Sequence, residues 1–279
     1  MRKGAGRNET PGNDKAVTKG GQSNNMQEKS KIALVTGGSG GLGKNMALRL
    51  AQTGSDVIIT FHSKVEEAAL VVAAIEAFGQ KGTALQFDVG DISALDGFVE
   101  RLFHTLSSKW GTTSFDFLIN NAGIGATIPF AQITESDFDL FLNIHFKGVF
   151  FLTQKLLPRI NDHGRIVNVS SNTTRVCVPG YSVYASMKGA IETFTKYLAK
   201  EVGPRGIAVN VLAPGPIETN FNNAILRNNP QRKEMMATQA ALGRVGQAED
   251  IGGIVAFLCS DDSYWITGQR IEASGGMSL

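Results

Sequence analysis

The sequence predicts an α/β fold in which helices cover both faces of a doubly wound, mostly parallel, seven-stranded sheet. Three observations support this prediction. After residue 30, short β-branched runs alternate with longer helical stretches, a glycine-rich segment follows the first run, and polar residues follow later runs. The 279 residues, 42% of them hydrophobic, would suffice for one large domain or two small ones. Because no internal linker interrupts the alternation, we expect one domain over residues 29–279.

The predicted elements can be placed in chain order. The strands are short β-branched or aromatic runs, expected at 31–36, 55–61, 82–89, 115–120, 164–170, 206–214 and 269–273. The helices are longer amphipathic stretches, expected at 41–54, 65–79, about 92–108, 135–158, 181–203 and 248–260. A polar, irregular lid with short helices is expected at about 215–245. Ligands of such sheets bind at the carboxyl ends of the strands, so the informative residues should follow the strands.

Composition excludes several classes of function. The formal net charge is +2, from 27 basic and 25 acidic residues, which gives no electrostatic reason to expect nucleic acid or a membrane as partner. No apolar run reaches 18 residues. Cys177 and Cys259 form no CxxC motif and the four histidines show no ligand spacing. We therefore predict no catalytic metal, no disulfide framework and a reducing, cytoplasmic setting.

Residues 1–28 differ from the remainder of the chain. They are polar, with almost no apolar residues, and cannot bury enough surface to repay their ordering entropy. They also lack the apolar core of a signal peptide. We interpret them as a disordered leader. An upstream start assigned in place of Met26, an added remnant and a targeting segment are the alternatives.

The segment "TGGSGGLG" (36–43) directly follows the first strand and opens a helix. Glycines permit a tight turn and a close approach of backbone to ligand. The free N–H groups and the positive end of the helix dipole attract an anion, here a pyrophosphate. A glycine turn alone is weak evidence, but this position between strand and helix predicts a dinucleotide-binding loop.

The end of the second strand discriminates between the two nicotinamide cofactors. An acidic residue there would bind the adenosine ribose and repel a 2′-phosphate. This chain has His62, Ser63 and Lys64 instead, which favours NADP(H) over NAD(H). Asp88 and Val89, after the third strand, are expected at the adenine. The "NNAG" segment (120–123), after the fourth strand, is expected along the middle of the cofactor.

The motif "YASMK" places Tyr184 and Lys188 four residues apart, on one face of a helix. Ser171 follows the fifth strand at the same end of the sheet. Tyrosine has an ordinary pKa of about 10, which a nearby ammonium lowers. With a serine hydroxyl to hold a substrate oxygen and a bound nicotinamide, these groups would suit hydride transfer between a carbinol and a carbonyl.

These motifs together resemble the short-chain dehydrogenase/reductase family, which has a single-domain Rossmann fold, from about residue 30 to the carboxyl terminus. The resemblance also includes "PGPIET" (214–219), "GRVGQAEDI" and "ITGQRIEASGG". It implies that Tyr184 is the acid or base, that Lys188 lowers the pKa of Tyr184 and holds the nicotinamide ribose, and that Ser171 polarises the carbonyl. It further implies a homotetramer or homodimer that packs through helices 135–158 and 181–203.

The residues expected to contact the cofactor come from every segment that follows a strand. They are Gly37, Ser39, Gly41, Leu42, Gly43, His62, Ser63, Lys64, Asp88, Val89, Asn121, Ala122, Gly123, Tyr184, Lys188, Pro214, Gly215, Ile217 and Thr219.

The chain departs from the family pattern at His145, in "NIHFKG" (143–148), where relatives usually carry an asparagine that holds a relay water. Asn143 lies two residues earlier, about 200° around a regular helix, and cannot substitute. Either His145 only packs beside the site, or its imidazole, titrating near neutrality, supports the proton relay or contacts substrate. We adopt the second hypothesis, with His145 as a fourth catalytic candidate.

A second departure concerns the substrate. Carrier-dependent 3-oxoacyl reductases resemble this chain closely, but well-studied members carry a basic residue where Phe151 stands. The lid residues Phe221, Ile225, Leu226, Met235 and Met236 predict a partly apolar pocket. We therefore expect an NADP(H)-dependent oxidoreductase acting on a small ketone or secondary alcohol. The alternatives are a 3-oxoacyl-[acyl-carrier-protein] reductase and, in another class, a catalytically idle NADP-binding sensor or scaffold.

Overall fold

The computed structural model describes residues 30–279, so the prediction of a disordered leader lies outside the described residues. Seven parallel strands form one sheet in the order β3-β2-β1-β4-β5-β6-β7, which confirms the predicted fold class. The strands are β1 Ile32–Val35, β2 Asp56–Phe61, β3 Gly82–Gln86, β4 Phe115–Asn120, β5 Ile160–Val169, β6 Ala208–Pro214 and β7 Arg270–Ala273.

Helices cover both faces of the sheet. The α-helices of the described chain are α1 Gly41–Gln52, α2 Val65–Ala77, α3 Leu95–Trp110, α4 Glu135–Leu142, α5 Gly148–Leu156, α6 Ser182–Val202, α7 Phe221–Asn228, α8 Pro230–Gln239 and α9 Glu249–Leu258. Apolar side chains of α3, α5 and α6 form one core layer, and those of α1, α2 and α9 form the other. Within residues 30–279, no helix is both long and apolar enough to cross a membrane.

Successive residues of each central strand enter opposite core layers. Leu34 and Leu118 pack towards α3 and α5, whereas Val35 and Ile119 pack towards α1 and α9. This burial on both faces explains why the strands are continuous apolar runs rather than alternating ones. Strand β1 pairs with both β2 and β4, so the chain reverses its winding direction there and leaves a crevice at the carboxyl ends.

The single regular helix predicted over 135–158 is not observed as such. A π-helical segment, Asn143–Lys147, separates α4 from α5, and the Gly148 N–H donates to the Asn143 carbonyl five residues earlier. Gly148 packs closely against the loop that follows β3, because a Cβ on Gly148 would lie only 2.1 Å from the Val89 carbonyl oxygen. Such π turns occur frequently at functional sites. Here the segment contains His145.

Candidate active site

One large pocket, of about 770 Å³, lies at the carboxyl ends of the strands. Every residue predicted to bind the cofactor or to take part in the reaction lines this pocket, including Ser171, Tyr184, Lys188 and His145. The structure thus brings together side chains that come from segments spread over most of the sequence.

The glycine-rich loop has the geometry of an anion cradle. Gly37 and Gly41 adopt left-handed backbone conformations, with φ of +65° and +53°. A Cβ on Gly43 would lie 2.3 Å from the Gly37 carbonyl oxygen, so the start of α1 can pack there only without a side chain. No side chain caps α1, and no acidic residue lies in its first turn. The free N–H groups therefore suit the pyrophosphate of a dinucleotide.

The "NNAG" segment is attached to this loop. The Thr36 hydroxyl accepts hydrogen bonds from the backbone N–H groups of Asn121 and Ala122, at 2.9 and 3.0 Å. The Asn121 side-chain amide in turn donates to the Thr36 carbonyl oxygen at 2.9 Å. These bonds join the ends of β1 and β4 and hold two walls of the crevice together.

The end of β2 carries no acidic side chain towards the pocket. His62, Ser63 and Lys64 are exposed on its rim. The His62 Nε2 lies 3.6 Å from an Asp88 carboxylate oxygen, and Lys64 Nζ lies 3.7 Å from Glu67. Asp88 also accepts the Gly90 N–H at 2.8 Å, which fixes its position after β3. The rim therefore fits an additional phosphate on the adenosine ribose.

Tyr184 and Lys188 are both buried on α6, and Ser171 is buried after β5. The Lys188 ammonium donates to the Val169 carbonyl oxygen at 2.8 Å and lies 5.6 Å from the centre of the Tyr184 ring. The Ser171 hydroxyl accepts from the Thr173 N–H and the Thr173 hydroxyl, at 3.2 and 3.0 Å. A serine hydroxyl also carries one hydrogen of its own, which Ser171 can donate to the neighbouring Tyr184 hydroxyl or to a ligand.

Comparisons with known proteins agree with this geometry. A family model described as enoyl-(acyl carrier protein) reductase matches residues 37–278. The chain belongs to the short-chain dehydrogenase/reductase family. A 3-oxoacyl-[acyl-carrier-protein] reductase of Staphylococcus aureus is 38% identical over 252 residues, 90% of this chain and 99% of the relative. An uncharacterized oxidoreductase of Methylorubrum extorquens is 36% identical over 249 residues, 89% of this chain and 98% of that protein.

Solved structures of the short-chain dehydrogenase/reductase family have the same fold. An angucycline C-6 ketoreductase with bound NADP superposes with a TM-score of 0.85 at 36% identity, over 89% of this chain and 96% of that one.

Burial shifts the pKa values of both Tyr184 and Lys188 on α6. Burial raises the pKa of Tyr184 above its ordinary 10.0, and the Ser171 hydroxyl only partly opposes this. Burial also lowers the pKa of Lys188 to about 8. Burial thus disfavours the charged form of both Tyr184 and Lys188. That Lys188 lowers the pKa of Tyr184 stays a prediction.

His145 is 1% exposed and lies edge-on to the Tyr184 ring, with ring centres 5.1 Å apart at 89°. Its Nε2 lies 2.9 Å from the Ile124 carbonyl oxygen and 3.4 Å from the Ile124 nitrogen, and the shorter contact, to a carbonyl that can only accept, favours a proton on Nε2. Its Nδ1 is buried without a partner among the described residues. Burial, and then the Lys188 charge, lower the pKa of His145 well below 6.5. The expected titration near neutrality is therefore wrong, because a buried imidazole beside an ammonium stays neutral.

The lid covers the Tyr184 side of the pocket. The Phe221 ring lies 6.1 Å from the Tyr184 ring, and the Asn222 amide donates to the Tyr181 hydroxyl at 2.6 Å and the Thr127 hydroxyl at 3.2 Å. Of the apolar residues predicted in the lid, Phe221, Ile225, Leu226 and Met236 line the pocket. Met235 does not; it is 49% exposed, because it lies on the outer face of α8.

Sequence reasoning missed several lining residues. Tyr181 and Arg232 line the pocket, and so does Met277 near the carboxyl terminus. Tyr181 could have been found from its position three residues before Tyr184, on the same face of the helix start. Arg232 and Met277 carried no comparable signal, since only the folding of α8 and the carboxyl terminus brings them to the site.

Proposed function

We propose that this protein is an NADP(H)-dependent oxidoreductase that transfers a hydride between the nicotinamide and a small ketone or secondary alcohol. The observation that carries the proposal is the convergence of Ser171, Tyr184 and Lys188 with the glycine-rich loop in one pocket. The NADP-bound angucycline ketoreductase of the same fold supports both the cofactor and the reaction class.

The three side chains would divide the chemistry as follows. NADPH, when bound, supplies the hydride that forms the new C–H bond at the carbonyl carbon. The Tyr184 hydroxyl donates its proton to the carbonyl oxygen in reduction and regains one from the alcohol in oxidation. The Ser171 hydroxyl donates its hydrogen to that oxygen and stabilises the charge that develops on it. Lys188 stands beside Tyr184, where its charged form favours the phenolate.

The remaining walls would hold the cofactor. The N-terminus of α1 and its glycines (37–43) would bind the pyrophosphate, and residues 121–123 would lie along its middle. His62, Ser63 and Lys64 would bind the 2′-phosphate. Asp88 and Val89 would face the adenine, and Pro214, Gly215, Ile217 and Thr219 would contact the nicotinamide end.

His145 would act as a neutral acceptor beside the proton relay. Its unpartnered Nδ1 is buried next to Gly123, where a Cβ would lie 3.2 Å from that nitrogen. A buried acceptor without a partner is costly, so a hydrogen-bond donor at this position would be favoured in the working enzyme. This role needs no titration of the imidazole.

A 3-oxoacyl-[acyl-carrier-protein] reductase is the second candidate, favoured by the Staphylococcus aureus relative. Against it stands Phe151, which is partly buried and packs on the core beside Phe150, with ring centres 5.3 Å apart. An aromatic side chain at that position offers no charge to an anionic carrier. An idle NADP-binding sensor or scaffold would have no need for a serine hydroxyl beside a tyrosine and a lysine.

We further propose a cytoplasmic homotetramer or homodimer in which residues 29–279 act as one domain. Gly189 on α6 fits this proposal, because no residue of the described chain lies within 4 Å of a Cβ built there and the missing side chain would let a second copy approach the helix closely. No nucleic-acid, membrane or metal partner is proposed; the described residues contain no group of three potential metal ligands.

A substrate screen tests the proposal. Purified protein would be assayed with ketones, hydroxynaphthalene-type substrates and a 3-oxoacyl thioester, each with NADPH and again with NADH. We expect NADPH oxidation with at least one ketone and little with the thioester, and Tyr184→Phe should lose this activity while it still binds NADPH. A higher kcat/KM for the thioester would favour the second candidate, and NADPH binding without any turnover would favour the sensor.

A further inference from the structure

A partly buried ion network lies directly behind the Ser171 loop, outside the pocket. Arg270 of β7 donates from Nε to a Glu192 carboxylate oxygen of α6 at 2.8 Å and from Nη1 to Glu272 at 2.7 Å. The Arg270 side chain is only 8% exposed and that of Glu192 only 17%. Neither residue lines the pocket.

The network contacts the Ser171 loop at three points. Arg270 Nη2 donates to the Ser171 carbonyl oxygen at 3.2 Å. The Ser170 hydroxyl donates to Glu192 at 2.7 Å, and the Thr174 hydroxyl lies 2.8 Å from the same carboxylate oxygen. Residues before, at and after Ser171 are thus attached to one partly buried ion pair.

Glu192 also connects this loop to the helix of the reacting residues. It lies one turn after Lys188 on α6, and the Ser170 hydroxyl that it holds lies 3.4 Å from the Lys188 carbonyl oxygen. The network therefore joins α6 and β7 to the segment that carries the Ser171 hydroxyl, next to the turn of α6 that holds Tyr184 and Lys188.

An ion pair that is shielded from water contributes little net stability, because the loss of hydration offsets the attraction between the charges. Two charges lose their hydration when they are buried, and apolar residues of similar volume often stabilise as well or better. What an arginine adds is a rigid, planar set of donors that can hold several oxygens in fixed directions. Arg270 uses this set to contact Glu192, Glu272 and Ser171 at once.

We propose that Glu192 and Arg270 are positioning residues that set the Ser171 hydroxyl for carbonyl polarisation. This inference rests on the proposed function, since it acts through the role of Ser171 there. A displacement of a reacting group by about 1 Å can cost roughly a hundredfold in rate. We therefore expect loss of the network to lower kcat while the cofactor pocket stays intact.

The test compares Arg270→Met with Arg165→Met. Arg165 is a matched control because its side chain is also little exposed, at 5%, and donates to backbone carbonyls, but it lies in the middle of β5 and contacts Ser260 rather than the Ser171 loop. At a temperature at which both are folded, R270M should lose roughly 10- to 100-fold in kcat. R165M should stay within twofold of the unaltered protein, and both should bind NADPH as it does. Equal kcat for R270M and R165M would overturn the proposal.

Two further variants separate positioning from stability. In a Ser171→Ala background, R270M should cause no further loss of kcat, because Arg270 acts through Ser171; an additive loss would contradict the proposal. The double variant Glu192→Met with Arg270→Met removes both charges, and we expect it to regain thermal stability over R270M but not kcat. Recovery of both would show a merely structural role.

The outcome for the unaltered protein separates this proposal from the proposed function. Failure of that protein to reduce any carbonyl with NADPH would refute the proposed function alone. Positioning is then tested by a crystal structure of R270M. A Ser171 hydroxyl displaced relative to Tyr184 would support the proposal, and an unmoved one would overturn it.

Discussion

The Lys188 ammonium donates a hydrogen bond to the Val169 carbonyl oxygen at 2.8 Å, in a site where the lysine is almost completely buried. One backbone carbonyl is a weak partner for a buried charge, and burial accordingly lowers the pKa of Lys188 to about 8 from 10.5. The protein thus holds a poorly solvated cation beside Tyr184. Such a charge destabilises the fold, as is common at sites where a residue is kept for its function.

Replacement of this lysine should therefore stabilise the ligand-free protein. We expect Lys188→Met to abolish turnover and to raise the free energy of unfolding at pH 7 by about 1 to 3 kcal/mol, since a pKa lowered by this amount costs the charged form roughly 3 kcal/mol. Between pH 8 and 10.5 the unfolded chain binds more protons than the folded protein, so the stability of the unaltered protein should rise with pH over this range. The stability difference between Lys188→Met and the unaltered protein should therefore shrink. Urea denaturation across this pH range measures it; a less stable variant at pH 7 would contradict the assignment.

The neutral state of His145 predicts how its variants behave. We expect His145→Asn, which keeps a hydrogen-bonding group, to retain kcat within about tenfold, and His145→Phe, which does not, to lose more. The pH–rate profile between pH 6 and 8 should not change in either variant.

Stability offers a second measurement at the same residue. The folded pKa of His145 is lowered, so the unfolded state binds the extra proton as pH falls below 6.5. The unaltered protein should lose stability there, and His145→Asn should lose less. If the pH–rate profile of the unaltered protein instead changes near pH 7 and His145→Asn abolishes that change, the hypothesis that the His145 imidazole titrates within the proton relay would be supported.

The rim at the end of β2 predicts a change of cofactor. We expect His62→Asp to lower kcat/KM for NADPH and raise it for NADH, shifting the ratio by at least about tenfold, or roughly 1.4 kcal/mol. A carboxylate there would repel the 2′-phosphate and accept the ribose hydroxyls. His104→Asp, on α3 and away from the pocket, serves as the charge control. An unchanged ratio would place the 2′-phosphate elsewhere.

The Asn222 contacts predict a role in closing the lid. Asn222→Ala removes the hydrogen bonds to Tyr181 and Thr127. We expect KM for the carbonyl substrate to rise about three- to tenfold, from the loss of one or two hydrogen bonds, with the Kd of NADPH nearly unchanged. Asn228→Ala, also in α7 but bonded only to the Asn223 carbonyl, is the control. Equal KM values for the two variants would argue against the lid contact.

Much of the fold could be predicted because its signals are local. The strand at 115–120 was placed at its observed bounds, and the helix at 181–203 within one residue at each end. The helix expected at 135–158 was interrupted at Asn143–Lys147, because a π turn arises from close packing of Gly148 on Val89 rather than from periodicity. Met235 is expected in the pocket only because it is an apolar residue of the lid, whereas the orientation of α8 points its side chain outward.

The sequence by itself determined the fold class, the glycine-rich loop and the four-residue spacing that sets Tyr184 and Lys188 on one helix face, because each depends on neighbours along the chain. The tertiary structure alone decided the charge state of His145 and the direction of the Tyr184 pKa, because burial is a property of packing. It alone joined Glu192 to Arg270, which are 78 residues apart. Local patterns carry no information about such contacts, since they form only when β7 completes the sheet beside β6.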